Sequence, residues 1–141
     1  MQILQPARNK SLQAIPQDIS KLVSVSDDVQ GILKKSCYDC HSNNTEYPWY
    51  AYVQPIHWFL DSHIRSGKEE LNFNEFVGYT FRRQQNKLRA IENSIKDGTM
   101  PLSSYTLIHR NAILDQREKS VLLKWVQNSR DSLNRKNLTG L

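Results

Sequence analysis

Apolar residues in this chain recur at the three- and four-residue intervals of amphipathic helices rather than at the alternating positions of strands. The first such stretch places Val29 and Ile32 on one face, shortly after Ser26, which is a favoured helix N-cap. Two aspartates directly after Ser26 put negative charge at the positive end of the helix dipole. The pattern predicts a helix that begins at Ser26 and ends between Tyr38 and Cys40.

Two more helices follow from the same periodicity in the middle of the chain. One opens at Pro55 and ends near Gly67, because proline is favoured in a first helical turn and glycine at a C-terminal end. A short helical turn is expected at 74–79. The next helix covers residues 81–97 and is ended by Gly98.

The last helix opens at Asp115, which forms a capping box with Glu118 three residues later. Its apolar stripe includes Leu122 and Trp125, and the polar residues from about Asp131 are expected to fray. No segment has a convincing strand pattern. The predicted fold class is therefore all-α.

The distribution of polar residues predicts three parts of the chain. Residues 1–24 are rich in Gln, Ser and Lys with two prolines, and are expected to be a leader or linker on the surface. Residues 25–131 contain the predicted helices and form one domain, and residues 132–141 form a polar C-terminal tail.

Composition suggests that something besides side chains fills the core. Only 38% of the 141 residues are hydrophobic, which is lean for a self-sufficient domain and is explained by a large apolar cofactor. The net charge of +5 favours acidic partners but is too small to indicate nucleic-acid binding. There is no apolar run of the length that spans a membrane.

The two cysteines of the chain, Cys37 and Cys40, have Cys-x-x-Cys spacing, and His41 follows them directly. One helical turn places the two sulfurs on the same side, where each thiol can add to one vinyl group of a porphyrin. The next residue then presents its imidazole to the iron. The CYDCH string therefore predicts one covalently bound haem c, with Cys37 and Cys40 as thioethers and His41 as the proximal ligand.

Three other interpretations of the cysteine pair remain open. A structural zinc site would use Cys37 and Cys40 with His57 and His63, but it leaves His41 without a role and the spacing is unusual for a zinc finger. A thioredoxin-like redox pair requires a preceding strand, which the pattern lacks. A structural disulfide or two idle thiols would not explain the histidine.

The iron position opposite His41 needs a second ligand if the haem is closed to exogenous molecules. Met100 is the internal methionine of the chain, and Pro101 after it favours an extended loop that can approach a ligand. The alternative role for a lone methionine is to fill a gap in the core. The competing ligands are His57, His63 and His109, of which His63 and His109 are the first to test.

Aromatic residues are concentrated in residues 47–52, between two prolines. Such density is more typical of plain packing than of chemistry. The alternative is contact with the edge of the haem, for which the candidates are Trp49, Tyr52 and Trp58.

Four cations lie on the predicted helix at 81–97, and they most simply form a solvated face. The alternatives are a docking patch for an acidic partner or a source of one cation for a haem propionate. The residues are Arg82, Arg83, Lys87 and Arg89.

The sequence resembles the class I c-type cytochromes, with a helix ending in CYDCH, a Met-Pro loop and a C-terminal helix. More closely, it is similar to the bacterial haem-binding-domain family of small monohaem proteins. The matching strings are SCYDCHSNNTEYPWY, LNFNEF, DGTMPLSSYTLIH and LLKWV, within residues 28–127. The resemblance implies a cytochrome c-like helical domain around one haem, with an extra helical insertion between Trp49 and Arg82.

The resemblance also implies an exported, periplasmic protein, often with a membrane anchor upstream of such a domain. Cys37, Cys40 and His41 would then be the attachment motif, and Met100 the distal ligand. We therefore expect an electron carrier rather than an enzyme, whose partners are redox proteins with acidic docking surfaces. The alternative is a haem enzyme, such as a peroxidase, or a gas sensor with a labile distal ligand.

Overall fold

A computed structural model describes residues 7–11, 17–47 and 49–140 of the chain. This part of the protein is helical and contains no strand, so the all-α prediction is confirmed. Short 3₁₀ turns connect or precede the helices at Ile19–Lys21, Trp49–Tyr52, Phe73–Gly78 and Arg110–Ala112. The helices are α1 (Asp27–Ser36), α2 (Tyr38–His41), α3 (Ile56–Glu70), α4 (Phe81–Asp97), α5 (Ser103–Thr106) and α6 (Gln116–Leu138).

The predicted first helix is divided into α1 and α2 at Cys37. The Ser26 hydroxyl accepts a hydrogen bond from the backbone N–H of Val29, as expected of an N-cap. The backbone leaves helical geometry at Cys37, where φ is −128°, and resumes it for the single turn of α2. The turn that carries Cys40 and His41 is therefore a separate element from α1.

Helix α4 packs against α6, and both contribute to one hydrophobic core with α1. Helix α4 spans the predicted 81–97 and ends at Gly98, whose φ of 70° is the left-handed conformation that favours glycine. The capping box at the start of α6 is present, with the Asp115 side chain and Glu118 each bonded to the other's backbone N–H.

Helix α6 extends past the predicted end near Asp131 and reaches Leu138. Leu133 is buried in the core, so packing stabilises a segment that the polar composition suggested would fray. Residues 132–138 of the expected polar tail are therefore helical.

The expected N-terminal leader also contributes to the domain. Residues 1–6 and 12–16 lie outside the described residues, and the structure describes 7–11 and 17–24 of this segment. Ile19 and Val23 are buried in the same hydrophobic core as α1, α4 and α6. In residues 7–11, the Asn9 side-chain amide donates to the Ser42 carbonyl at 2.8 Å. These described parts are thus packed onto the domain rather than lying apart from it.

No helix in the described ranges has the length and apolar character needed to cross a membrane.

Candidate functional site

A cavity of about 360 Å³ lies where the CYDCH segment faces α3, α4 and the loop after α4. Cys37, Cys40 and His41 all line it, and Met100 and Pro101 line it from the loop. The rest of the wall is largely apolar, so the cavity suits a large hydrophobic ligand. The apolar lining includes Leu33, Leu71, Phe73, Ile91, Ile95, Leu102, Leu114 and Leu122.

Gly67 allows α3 to approach the CYDCH segment closely. A Cβ atom at this position would lie 2.6 Å from the Cys40 carbonyl oxygen and 3.0 Å from the Cys40 Cβ. The glycine was expected to end the helix, but α3 continues to Glu70. Its role is therefore close packing beside Cys40, not helix termination.

Both cysteines are free thiols in a largely apolar environment. Burial, with the Cys40 charge as a second cause, raises the pKa of Cys37 to about 12. Burial and the nearby Asp39 raise the pKa of Cys40 to about 11. A thioredoxin-like pair requires a lowered thiol pKa, so these thiols do not match that alternative.

His41 is oriented by the backbone of the segment after α3. Its Nδ1 lies 2.9 Å from the Leu71 carbonyl oxygen. A carbonyl oxygen only accepts hydrogen bonds, so Nδ1 must be the donor. The ring also meets Phe73 edge-on, with centroids 6.5 Å apart. Nδ1 therefore carries the proton, and Nε2 is the nitrogen that can bind a metal.

Met100 and His63 both line this cavity, from different elements. Met100 is 40% exposed, and its backbone N–H makes a long 3.5 Å hydrogen bond to the Ser94 carbonyl. His63, on α3, donates from Nδ1 to the Phe59 carbonyl at 2.9 Å, which leaves Nε2 as its metal-binding nitrogen. The structure therefore brings two candidate ligands to the cavity that holds His41.

The profile of the haem-binding domain family matches residues 1–128. The chain belongs to the haem-binding domain family. Haem is therefore the cofactor of this domain, as the CYDCH string predicted.

One curated relative is cytochrome c peroxidase Ccp of Escherichia coli (strain K12), which is 28% identical over 112 residues. The match covers 77% of this chain but 24% of the relative, so the haem-binding domain spans about a quarter of that protein's length. No solved structure matches the chain at a significant level.

The residues that line the cavity of the haem-binding domain fit a haem. The wall is largely apolar, as the face of a porphyrin requires, and the His41 imidazole has Nε2 available for iron. Lys87, on α4, is the one Lys or Arg among the described lining residues, and its side chain is 22% exposed. Its carboxylate neighbour Glu70 is 3.8 Å away and 83% exposed, so Lys87 is suited to hold a propionate.

The other two histidines are placed outside this cavity. His57 is buried and donates from Nδ1 to the Ala51 carbonyl at 2.8 Å. The His109 ring stacks on Tyr105, with centroids 4.4 Å apart, and its Nε2 is hydrogen-bonded to the Tyr50 hydroxyl. Neither is among the residues that line the haem cavity.

The zinc alternative is wrong for the described part of the chain. No group of three or more His, Cys, Asp and Glu side chains there is arranged to hold a metal ion. His57, which that site required, is outside the cavity that contains Cys37 and Cys40. The four proposed zinc ligands therefore do not form one site.

The aromatic residues suggested for haem contact also lie outside the cavity lining. Trp49, Tyr52 and Trp58 are 79%, 52% and 50% exposed. The reason is the local geometry: the 3₁₀ turn at Trp49–Tyr52 and the start of α3 bury Ala51 and His57 and leave the larger rings outside.

The structure adds Phe73, Leu71 and Tyr105 to the site, none of which was singled out from the sequence. Leu71 and Phe73 belong to the string LNFNEF, which was matched as a whole, with no role predicted for either residue. Tyr105 belongs to the matching string DGTMPLSSYTLIH, but its role depends on a contact with Asp39 far away in the chain, which no local pattern indicates.

Proposed function

We propose that this haem-binding domain is a c-type cytochrome that carries single electrons through one covalently attached haem. The observation that supports this is the meeting of CYDCH and Met100 at one apolar cavity, although they are far apart in the sequence. A haem with both axial positions held by protein is poorly suited to substrate binding. Electron transfer is then its principal chemistry.

Cys37 and Cys40 attach the cofactor in this proposal. Each of these thiols would hold the haem through one thioether to a vinyl-derived carbon, with the thiol hydrogen taken up by the other vinyl carbon. The close packing of Gly67 against Cys40 keeps α3 beside the attached edge. The result is one haem c that cannot dissociate.

His41 Nε2 and the Met100 sulfur would be the two protein ligands of the haem iron. The Leu71 carbonyl fixes the His41 ring through Nδ1. When bound, the haem supplies the one-electron Fe(III)/Fe(II) change. A thioether ligand favours the ferrous state and raises the reduction potential relative to a second histidine.

The remaining residues limit the rearrangement that accompanies electron transfer. The apolar lining would exclude water from a bound haem, and Lys87 would neutralise one of its propionates. The partner is proposed to be a redox protein with an acidic docking surface, because the chain carries a net charge of +5. Because covalent haem attachment occurs outside the bacterial cytoplasm in similar families, the proposed location is the periplasm, with the domain either free or held by a membrane anchor upstream of it.

Covalent attachment is tested by the mass of the chain after expression in an exporting host that has haem-attachment machinery. The expected mass is that of the polypeptide plus one haem, and acidified solvent should not extract the pigment. A Cys37→Ser, Cys40→Ser variant is the matched control and should release its haem. An intact chain without the haem mass would contradict the proposal.

Ligation by Met100 is tested by Met100→Ala. The oxidised protein should lose the weak sulfur–iron band near the red end of the spectrum, bind carbon monoxide when reduced, and have a lower potential. The stability loss should stay below about 2 kcal/mol, the lower end for buried methionines, because Met100 is 40% exposed. An unchanged low-spin spectrum would show that Met100 is not the ligand.

A second candidate function is a peroxidase-like or gas-binding haem domain. His63 in the cavity and the exposure of Met100 favour it, and so does the similarity to cytochrome c peroxidase Ccp. In that case the wild-type ferrous protein should bind carbon monoxide, and His63→Ala should lower peroxide turnover. A wild-type protein closed to carbon monoxide and without peroxide turnover excludes this candidate.

A further inference from the structure

The segment that follows Met100 is fastened to the CYDCH segment by one hydrogen bond. The Tyr105 hydroxyl, in α5, donates to Oδ2 of Asp39 at 2.7 Å. Asp39 lies between Cys37 and Cys40 in the sequence, and both partners of the bond line the haem cavity. The bond therefore joins the two segments that carry the proposed iron ligands.

Two further hydrogen bonds hold Asp39 in place. Its Oδ1 accepts a hydrogen bond from the backbone N–H of Glu46 at 3.0 Å. Its carbonyl oxygen accepts another from the Thr45 hydroxyl at 2.6 Å. The carboxylate thus offers Oδ2 as a fixed acceptor to Tyr105.

Tyr105 is equally constrained. Its ring stacks on His109 at an interplanar angle of 15°. Burial and the hydrogen bond to Asp39 raise the pKa of Tyr105 far above its ordinary value of 10. The phenol is therefore protonated near neutral pH and donates to Asp39.

Met100 itself is only weakly held by its own contacts. Its side chain is 40% exposed, and the hydrogen bond of its backbone N–H to Ser94 is long. Two residues, Pro101 and Leu102, separate it from α5. A constraint on Tyr105 is therefore transmitted to Met100 through a short connection.

We infer that Tyr105, through its hydrogen bond to Asp39, is a positioning residue that holds Met100 against the iron. This inference rests on the proposed function, because it requires Met100 to be the ligand. It assigns to the aspartate inside the CYDCH string a role separate from haem attachment.

The test is competition between Met100 and added imidazole for the ferric iron in Tyr105→Phe. The phenylalanine keeps the ring on His109 and removes only the hydroxyl. Imidazole must displace the methionine, so its dissociation constant should fall on the order of tenfold when the hydrogen bond to a charged acceptor is lost. Asp39→Asn keeps a neutral acceptor and should give an intermediate value.

Tyr38→Phe is the matched control. It makes the same substitution within the CYDCH segment, where the Tyr38 hydroxyl has a long 3.4 Å hydrogen bond to Gln30. Its imidazole affinity should equal that of the wild type. A thermal midpoint is recorded for each variant, because a purely structural role would lower the midpoint and leave imidazole affinity unchanged.

The outcomes separate this inference from the proposed function. A wild type with the sulfur–iron band, together with unchanged imidazole affinity in Tyr105→Phe, overturns the inference alone. A wild type without the band overturns Met100 ligation and the inference with it. If Tyr105→Phe does not fold, unchanged affinity in Asp39→Asn overturns the inference.

Discussion

Gly67 lies inside α3, where glycine ordinarily weakens a helix relative to alanine by about 0.5–1 kcal/mol. At this position the close contact with Cys40 reverses the expectation, since a Cβ would lie 2.6 Å from a backbone oxygen. We predict that Gly67→Ala lowers the free energy of unfolding and the yield of haem-loaded protein. Both are measurable by urea titration and by the ratio of haem to protein absorbance.

Gly31 provides the control for this prediction. It lies in α1, is exposed, and a Cβ there would meet nothing within 4 Å. Gly31→Ala should stabilise the protein by up to about 1 kcal/mol. Equal stability of the two variants would show that the approach of α3 to Cys40 is not tight.

The two thiols supply a prediction about pH. In the chain expressed without haem attachment, burial keeps the pKa values of Cys37 and Cys40 at about 12 and 11, above the ordinary 9.0. At pH 8 the Cys40 thiolate fraction, and hence its alkylation by iodoacetamide, should be roughly a hundredfold lower than in the urea-unfolded chain. Equal rates in the two states would contradict burial of the thiols.

The raised pKa values of the two thiols also make the stability of the folded chain depend on pH. Above pH 9.0 the unfolded chain loses thiol protons that the folded chain retains. The contribution to folding is therefore complete below pH 9.0 and declines as the pH rises toward 12.

At the scale of elements, the capping box makes α6 sensitive to one residue. The Asp115 side chain accepts from the Glu118 backbone N–H at 2.7 Å, and Glu118 also forms an ion pair with Lys35 of α1. We predict that Asp115→Ala costs about 1 kcal/mol of unfolding free energy, measured by urea titration, with an unchanged haem spectrum.

Ser120→Ala, at an exposed position within α6, is the comparison for that variant. It removes a side-chain oxygen that caps no helix end, and it should cause no loss of stability. A similar loss in both variants would mean that the Asp115 effect is unrelated to capping.

The helix boundaries show which sequence signals are local. Ser26, Gly98 and Asp115 act on the backbone groups nearest to them, and the structure places all three where the pattern predicted. The break at Cys37 and the extension of α6 past Asp131 were not predicted. The extension of α6 depends on burial of Leu133 in the core, which the local pattern does not contain.

At the scale of the whole molecule, the net charge of +5 predicts electrostatic steering of an acidic redox partner, if the proposed electron-transfer function holds. Within the proposed docking patch, Lys87 lines the haem cavity and Arg83 lies over the Tyr79 ring at 4.2 Å. Arg82 and Arg89 are exposed and do not line the cavity, so they test docking without disturbing the site. The bimolecular rate with an acidic redox protein should fall in Arg82→Gln, Arg89→Gln and depend less on salt.

A variant with the same change of charge elsewhere controls for net charge. Lys124 and Arg135 are exposed on α6, beside a surface hollow near Ser24. Lys124→Gln, Arg135→Gln should slow the reaction less. Equal effects of the two variants would assign steering to net charge, and no effect of Arg82→Gln, Arg89→Gln would make these cations an ordinary solvated face.

The sequence by itself determined the helical class, most helix starts and the CYDCH segment as part of the candidate site, because periodicity, caps and motif spacing act over a few neighbouring residues. It also singled out Met100, but with His57, His63 and His109 as open alternatives. The tertiary structure decided that Met100 and His63 reach the cavity of His41, whereas His57 and His109 do not.

Only the tertiary structure revealed that Gly67 accommodates Cys40, that Trp49 faces solvent, and that Tyr105 bonds to Asp39. Each of these facts depends on which segments meet in space. A residue type and its immediate neighbours specify a local backbone preference, but contacts between distant segments are selected by the packing of the whole chain around one core.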